Sequence, residues 1–122
     1  MAHDVFISYS SRDKAKALAI CDYLESRGIV CWLAPRDVNV GEEYAVAIVD
    51  AIDSSSVVLL VETNNANDTP QVRREIERAI SKQITVFPIR LEDAQRSKAM
   101  EYYIDSVHWM DAFPQPLNRY FT

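Results

Sequence analysis

The seven residues SVVLLVE, Ser56–Glu62, decide how this chain folds. Their middle is an unbroken apolar run, not an alternation of apolar and polar residues. Alternation marks a strand with one wet face, whereas a short unbroken run marks a strand covered on both faces. Such a strand belongs in a parallel sheet with helices packed above and below it.

The flanking sequence supplies those helices. Just before the run, EEYAVAIVDAIDSS carries Tyr44, Ala47, Ile48, Ala51 and Ile52 at helical spacing. After it, TPQVRREIERAI (Thr69–Ile80) carries a second stripe of Val72, Ile76, Ala79 and Ile80, with Thr69 as N-cap and Pro70 as first helical residue. Nearer the start, the run DVFIS (Asp4–Ser8) precedes a helical pattern containing Ala17, Ile20, Cys21 and Leu24, which Gly28 ends. IVCWLA (Ile29–Ala34) and ITVFPIR (Ile84–Arg90) read as two more strands, with Pro88 placing the latter off-centre or marking an irregularity. SVHWM is a candidate fifth strand, and QPLNRYFT the start of a last helix. TNNAND (Thr63–Asp68) reads as loop. Strands alternating with helices give an α/β fold with a mostly parallel sheet and right-handed crossovers.

The totals narrow the function. A length of 122 residues fits one domain, and only 2 glycines argues against a loop-dominated fold. A net charge of −5 disfavours nucleic acid as a direct partner. There is no signal peptide pattern and no apolar stretch near membrane-spanning length, so the expected location is cytoplasmic, away from membranes. Cys21 and Cys31 lack metal-ligand spacing and read as buried thiols in a reducing compartment. No metal is expected, since His3 and His108 stand alone.

In an open parallel sheet, ligands bind beyond the carboxyl ends of the strands, where strand order reverses. Three polar loops leave those ends: Ser8–Asp13, Ala34–Glu43 and Glu62–Pro70. Helical geometry then separates the two glutamates of the helix after Thr69. Glu75 lies at the border of the apolar stripe, in the second turn, with Gln71 one turn before it and Arg78 nearly one turn after. Glu77 lies on the opposite flank and reads as solvated. Burial beside the stripe raises the pKa expected of Glu75, and Arg78 opposes that if close. Asp13 either caps the first helix or joins the cleft.

DVFISYSSRDK, GIVCWLAPRDVNVGEEY, the VVLLV run and TPQVRREIERAI, in that order over nearly the whole chain, resemble a bacterial Toll/interleukin receptor (TIR) domain. The resemblance implies a flavodoxin-like fold with a five-stranded parallel sheet in the order 2-1-3-4-5, and one domain over residues 1–122, excised from a longer protein with a C-terminal sensor. Some members of that family cleave NAD+ between nicotinamide and ribose, in bacterial immune or cell-death signalling, and others are scaffolds. In catalytic members a glutamate of this helix is essential, which carries to Glu75. NAD+ is then substrate, not cofactor.

The resemblance also implies substrate contacts for Phe6, Ser8, Tyr9, Ser10, Ser11, Trp32 and Gln71. As residues alone, Phe6 fits a core strand, the serines and Tyr9 fit a polar turn equally well, and Trp32 fits a core. Arg36–Glu43 matches the family's BB loop, so Arg36, Asp37 and Gly41 are expected to order that loop or serve self-association. Two positions depart from the pattern. Gln71 stands where the family often has Trp, which leaves the cyclic or linear form of ADP-ribose product open. Glu62 stands where a serine is frequent, adding negative charge near the expected cleft.

Overall fold

The computed structural model describes residues 3–105 and 109–112. Strand β1 (Val5–Ser8) leads through a 3-10 turn, Ser11–Asp13, into α1 (Lys14–Ser26). Then come β2 (Cys31–Trp32), α2 (Tyr44–Asp53), β3 (Val57–Glu62), α3 (Asn64–Asn67), α4 (Pro70–Ser81), β4 (Thr85–Arg90), α5 (Lys98–Ile104) and β5 (Met110–Asp111). All pairings are parallel and the order is β2-β1-β3-β4-β5, as expected.

The opening run behaves as its composition requires. Val58 and Leu60 face one side, against Phe6, Ile48, Ile52, Val72 and Ile76, under α2, α4 and α5. Leu59 and Val61 face the other, against Ile7, Ile20, Cys21 and Ile89, under α1. Successive residues of a strand point to opposite faces, so a run covered on both sides has no place for a polar residue until its end. The strand order reverses between β1 and β3, whose register runs from Val5↔Val57 to Ser8↔Leu60.

Several elements differ from their sequence expectations. β2 is cut to two residues because the neighbouring amides are engaged elsewhere: Leu33 N donates to the Asp37 carboxylate at 2.9 Å. The polar stretch after β3 contains a short helix. Thr63 Oγ1 caps it by accepting from Ala66 N at 3.1 Å, while Asn64 Nδ2 donates to Glu92 and Asn67 Nδ2 to Glu62. Tertiary partners therefore override the loop preference of an asparagine-rich segment. Thr69 sits at the N-cap of α4, but its hydroxyl donates to Asn65 O (2.6 Å) and does not cap. Asp13 makes no cap either; it is buried and accepts from Thr63 Oγ1 at 2.5 Å. Tyr44 and Ile80, both placed on apolar stripes, are exposed. Pairing of β4 with β5 starts at Ile89, just past Pro88, so the missing amide spoils no rung there. The helix read in QPLNRYFT and the first three residues of SVHWM lie outside the described residues.

Candidate active site

Glu75 is 7% exposed, an unusual place for a carboxylate. α4 presents it from its second turn, between the buried Val72 and Ile76, and turns it toward the carboxyl end of β1. There Ser8 Oγ donates to Oε1 at 2.7 Å, and Gln71 Nε2 donates to Oε2 at 3.3 Å. Burial pushes the carboxyl pKa up to about 7. The Ser8 and Gln71 hydrogen bonds and the positive charge of Arg74 hold it from rising further. Arg78 is not the opposing charge that sequence spacing suggested. Its guanidinium is paired with Asp53, at 2.6 and 3.0 Å.

Two cavities meet at this carboxylate. The larger, about 410 Å³, lies between α2 and α4, with Ala45, Ile48, Val49 and Ile52 on one wall and Arg74 and Arg78 on the other. The smaller, about 90 Å³, lies over the strand ends and is lined by Phe6, Ile7, Tyr9, Ser11, Ala34 and Pro35. Tyr44, Gln71 and Glu75 line both. A carboxylate that is protonated and ionised in comparable amounts near neutral pH, opening onto both spaces, can stabilise a developing positive charge, hold hydroxyls or attack.

The structure brings some of the expected site residues together and separates others. Phe6, Tyr9, Ser11, Gln71 and Glu75 share the smaller cavity. Ser8 is buried and holds Glu75, leaving its hydroxyl engaged. The Tyr9 hydroxyl is tied to Ala34 O. Ser10 points elsewhere: it caps the 3-10 turn and lines a separate polar cavity with Arg12, Asn64, Asn65, Asp68 and Thr69. Trp32 lines none of these three cavities. Its ring stacks on Phe6, centroids 5.4 Å apart, because the β1–β2 register sets the two side by side. Glu62 puts no loose charge into the cleft: it is wholly buried and accepts from Arg96 Nε and Nη2 at 2.6 and 2.8 Å. Tyr44 is the lining residue that stripe counting misassigned. Its signal was its position, first in α2 and directly after the polar loop.

Arg36 and Asp37 organise that loop. The Arg36 fork donates to both Glu25 oxygens at 3.0 Å, to Cys31 O at 3.1 Å and to Asp37. Gly41 has φ +84, a left-handed conformation that suits glycine. Cys21 and Cys31 are buried and free, and burial pushes the Cys31 thiol up to about 12. Although their sequence spacing carries no ligand motif, the fold brings Cys21, Glu25 and Cys31 donor atoms within 4.8 Å of one another. A cation already serves that group, since Arg36 Nη1 lies 3.2 Å from Cys21 Sγ.

A doubly covered parallel sheet with a buried carboxylate beside its switch point defines an α/β protein with a candidate ligand site at the strand ends. Residues 5–120 match the TIR domain family model, and the chain belongs to that family. It is 43% identical over 60 residues to the "Stimulator of interferon genes protein" of Magallana gigas, covering 48% of this chain and 14% of that one. It is similar in structure to the TIR domain of the Toll-related receptor TRR-2 from Hydra magnipapillata (TM-score 0.78, 22% identity, 89% of this chain and 83% of that one). It is similar also to a metazoan TIR-STING receptor from C. gigas in complex with 2',3'-cGAMP (TM-score 0.75, 26% identity, 90% and 35%). The chain thus spans about a seventh of the curated relative and about a third of the TIR-STING structure. These relatives are metazoan, so membership stands at the level of the TIR domain, without a bacterial qualifier. Among the described residues no helix is long and apolar enough to cross a membrane.

Proposed function

We propose that this domain cleaves NAD+ at the bond between nicotinamide and ribose, with Glu75 as the catalytic carboxylate. The observation that carries this reading is the buried Glu75, with its raised pKa, on the wall shared by two cavities. Nicotinamide leaves NAD+ as a neutral molecule, taking the electron pair of the C–N bond, so no general acid is needed. Positive charge passes to the ribose. An ionised carboxylate beside that ribose stabilises it more than it stabilises the substrate, which lowers the barrier. Water then adds to the ribose carbon and releases a proton, giving ADP-ribose. Attack by the adenine instead gives a cyclic isomer. The positive pyridinium itself favours the ionised form of Glu75 on binding. No cofactor enters this scheme.

On this reading the domain works in immune or cell-death signalling, in the cytoplasm and on self-association, joined to a sensor domain. A second reading, a non-catalytic assembly module, is favoured by one observation. Val40 is fully exposed on the loop between β2 and α2, and Val46 and Val49 are exposed on α2. Mass spectrometry of NAD+ incubated with concentrated wild type and Glu75→Ala separates the two. Nicotinamide release by wild type alone supports catalysis. Assembly with NAD+ unchanged in both supports the module.

A further inference from the structure

We propose that Tyr44 is the stacking surface that holds the flat cationic ring of the substrate beside Glu75; this rests on the NAD+-cleaving reading. Three residues line both cavities: a carboxylate, an amide and this one aromatic ring. The ring takes no part in either hydrophobic cluster. It is 45% exposed although Ala47, Ile48, Ala51 and Ile52 of the same stripe are buried. It stands at the junction of the two spaces, and folding alone does not account for its place there.

The neighbouring aromatic groups are less available. Phe6 is 1% exposed and its face is covered by Trp32. The Tyr9 hydroxyl is bound to Ala34 O. Gln71 has no ring, and its amide is spent on Glu75. Charge then selects what the ring receives. Among the residues lining the smaller cavity, Glu75 is the sole carboxylate and no arginine or lysine joins it, whereas the larger cavity, which Glu75 also lines, adds Arg74 and the Asp53-paired Arg78. A molecule with a cationic ring at one end and a pyrophosphate at the other is oriented by that difference. Its ring lies over Tyr44 on the side without arginines, and its phosphates lie toward Arg74, since Arg78 is held by Asp53. An aromatic face attracts a planar cation laid over it, so a pyridinium stacks face to face on the ring. Stacking acts on the bound ground state, so its loss shows mainly in KM.

The test uses the two halves of the substrate as separate probes, the 1-methylnicotinamide cation and ADP-ribose. Titration of wild type, Tyr44→Ala and Tyr44→Phe by NMR is run alongside NAD+ kinetics. Tyr44→Ala should weaken the cation about tenfold, in the range that cation–π contacts give. It should leave ADP-ribose within about twofold and raise KM for NAD+ more than it lowers kcat. Tyr44→Phe, which keeps the ring, should bind both probes like wild type. Equal loss of both probes, an unchanged cation affinity in a variant with native circular dichroism, or no cation binding by wild type overturns the proposal. Selective loss of the cation in a protein that releases no nicotinamide would refute catalysis while sustaining the stacking role of Tyr44. Turnover by wild type with no response to Tyr44→Ala would do the reverse.

Discussion

Ser8 Oγ donates to Glu75 Oε1 across 2.7 Å, joining the last residue of β1 to the second turn of α4. The bond spans 67 positions in sequence. It fixes the carboxylate's orientation and favours its charged form. A hydrogen bond to a charged group contributes roughly 1.5–3 kcal/mol, equivalent to about one to two pKa units. Ser8→Ala should therefore move the acidic limb of the pH–rate profile up by about one unit or more. At pH 7, where a pKa of about 7 leaves half the groups ionised, a one-unit rise should cut turnover roughly fivefold, and a larger rise more. Ser8→Thr, which keeps a hydroxyl, should recover part of the loss. A limb that stays in place in Ser8→Ala would mean Ser8 does not support the charge.

The same carboxyl links stability to pH. Folding raises its pKa from the ordinary 4.5 to about 7, so the folded chain holds the proton more tightly than the unfolded one. Its favourable contribution is fully present below pH 4.5 and is lost as pH rises through 7. Above that, an ionised group stays buried at a cost of about 3 kcal/mol relative to an exposed one. Glu75→Gln keeps the shape and removes the charge. It should raise the Tm above wild type at pH 8, with the difference shrinking toward zero near pH 4. Equal Tm differences at both pH values would show that burial does not govern this group.

Much of the fold was legible because burial on both sides demands an unbroken apolar strand, and Val58 and Leu59 do lie on opposite faces. Glu75 was legible for a related reason: its angle on the helix set it at the border of the stripe. What escaped depends on pairs distant in sequence. The bond from Ser8, the Arg96 fork on Glu62 and the Phe6–Trp32 stack each follow from strand register or from loops folding back. Helix periodicity carries none of that. The helix Asn64–Asn67 escaped because three of its four residues are asparagines of low helix propensity and its partners Glu62, Glu92 and Gln95 lie outside it.

The Glu62–Arg96 pair ties the end of β3 to the segment before α5. Glu62 has no exposed surface, so the loss of Arg96 leaves a buried charge with the Asn67 amide and Arg90, whose Nε is 4.0 Å away. Breaking a buried pair from one side costs about 3–5 kcal/mol, whereas replacing both members costs far less. Arg96→Met should lower unfolding free energy by about 3 kcal/mol in urea, and Glu62→Leu with Arg96→Met should recover at least half of that. A double variant no better than the single would place the cost in lost packing against Trp109, over which Arg96 sits at 5.4 Å.

Arg36 controls local order more than global stability. Its partners Glu25 and Asp37 are about one-third exposed, as is Arg36 itself, so water screens each ion pair to about 1 kcal/mol or less. The geometry of the fork matters more, because one guanidinium reaches α1, β2 and the loop together. Lysine keeps the charge but cannot make those contacts at once. Arg36→Lys should therefore change the Tm little while hydrogen exchange across residues 33–43 quickens about tenfold. Since Ala34 and Pro35 wall the smaller cavity, KM for NAD+ should rise in the same variant. Exchange rates at wild-type values in Arg36→Lys would show that the loop keeps its shape without the fork and that Asp37, through Leu33 N, is its sufficient anchor.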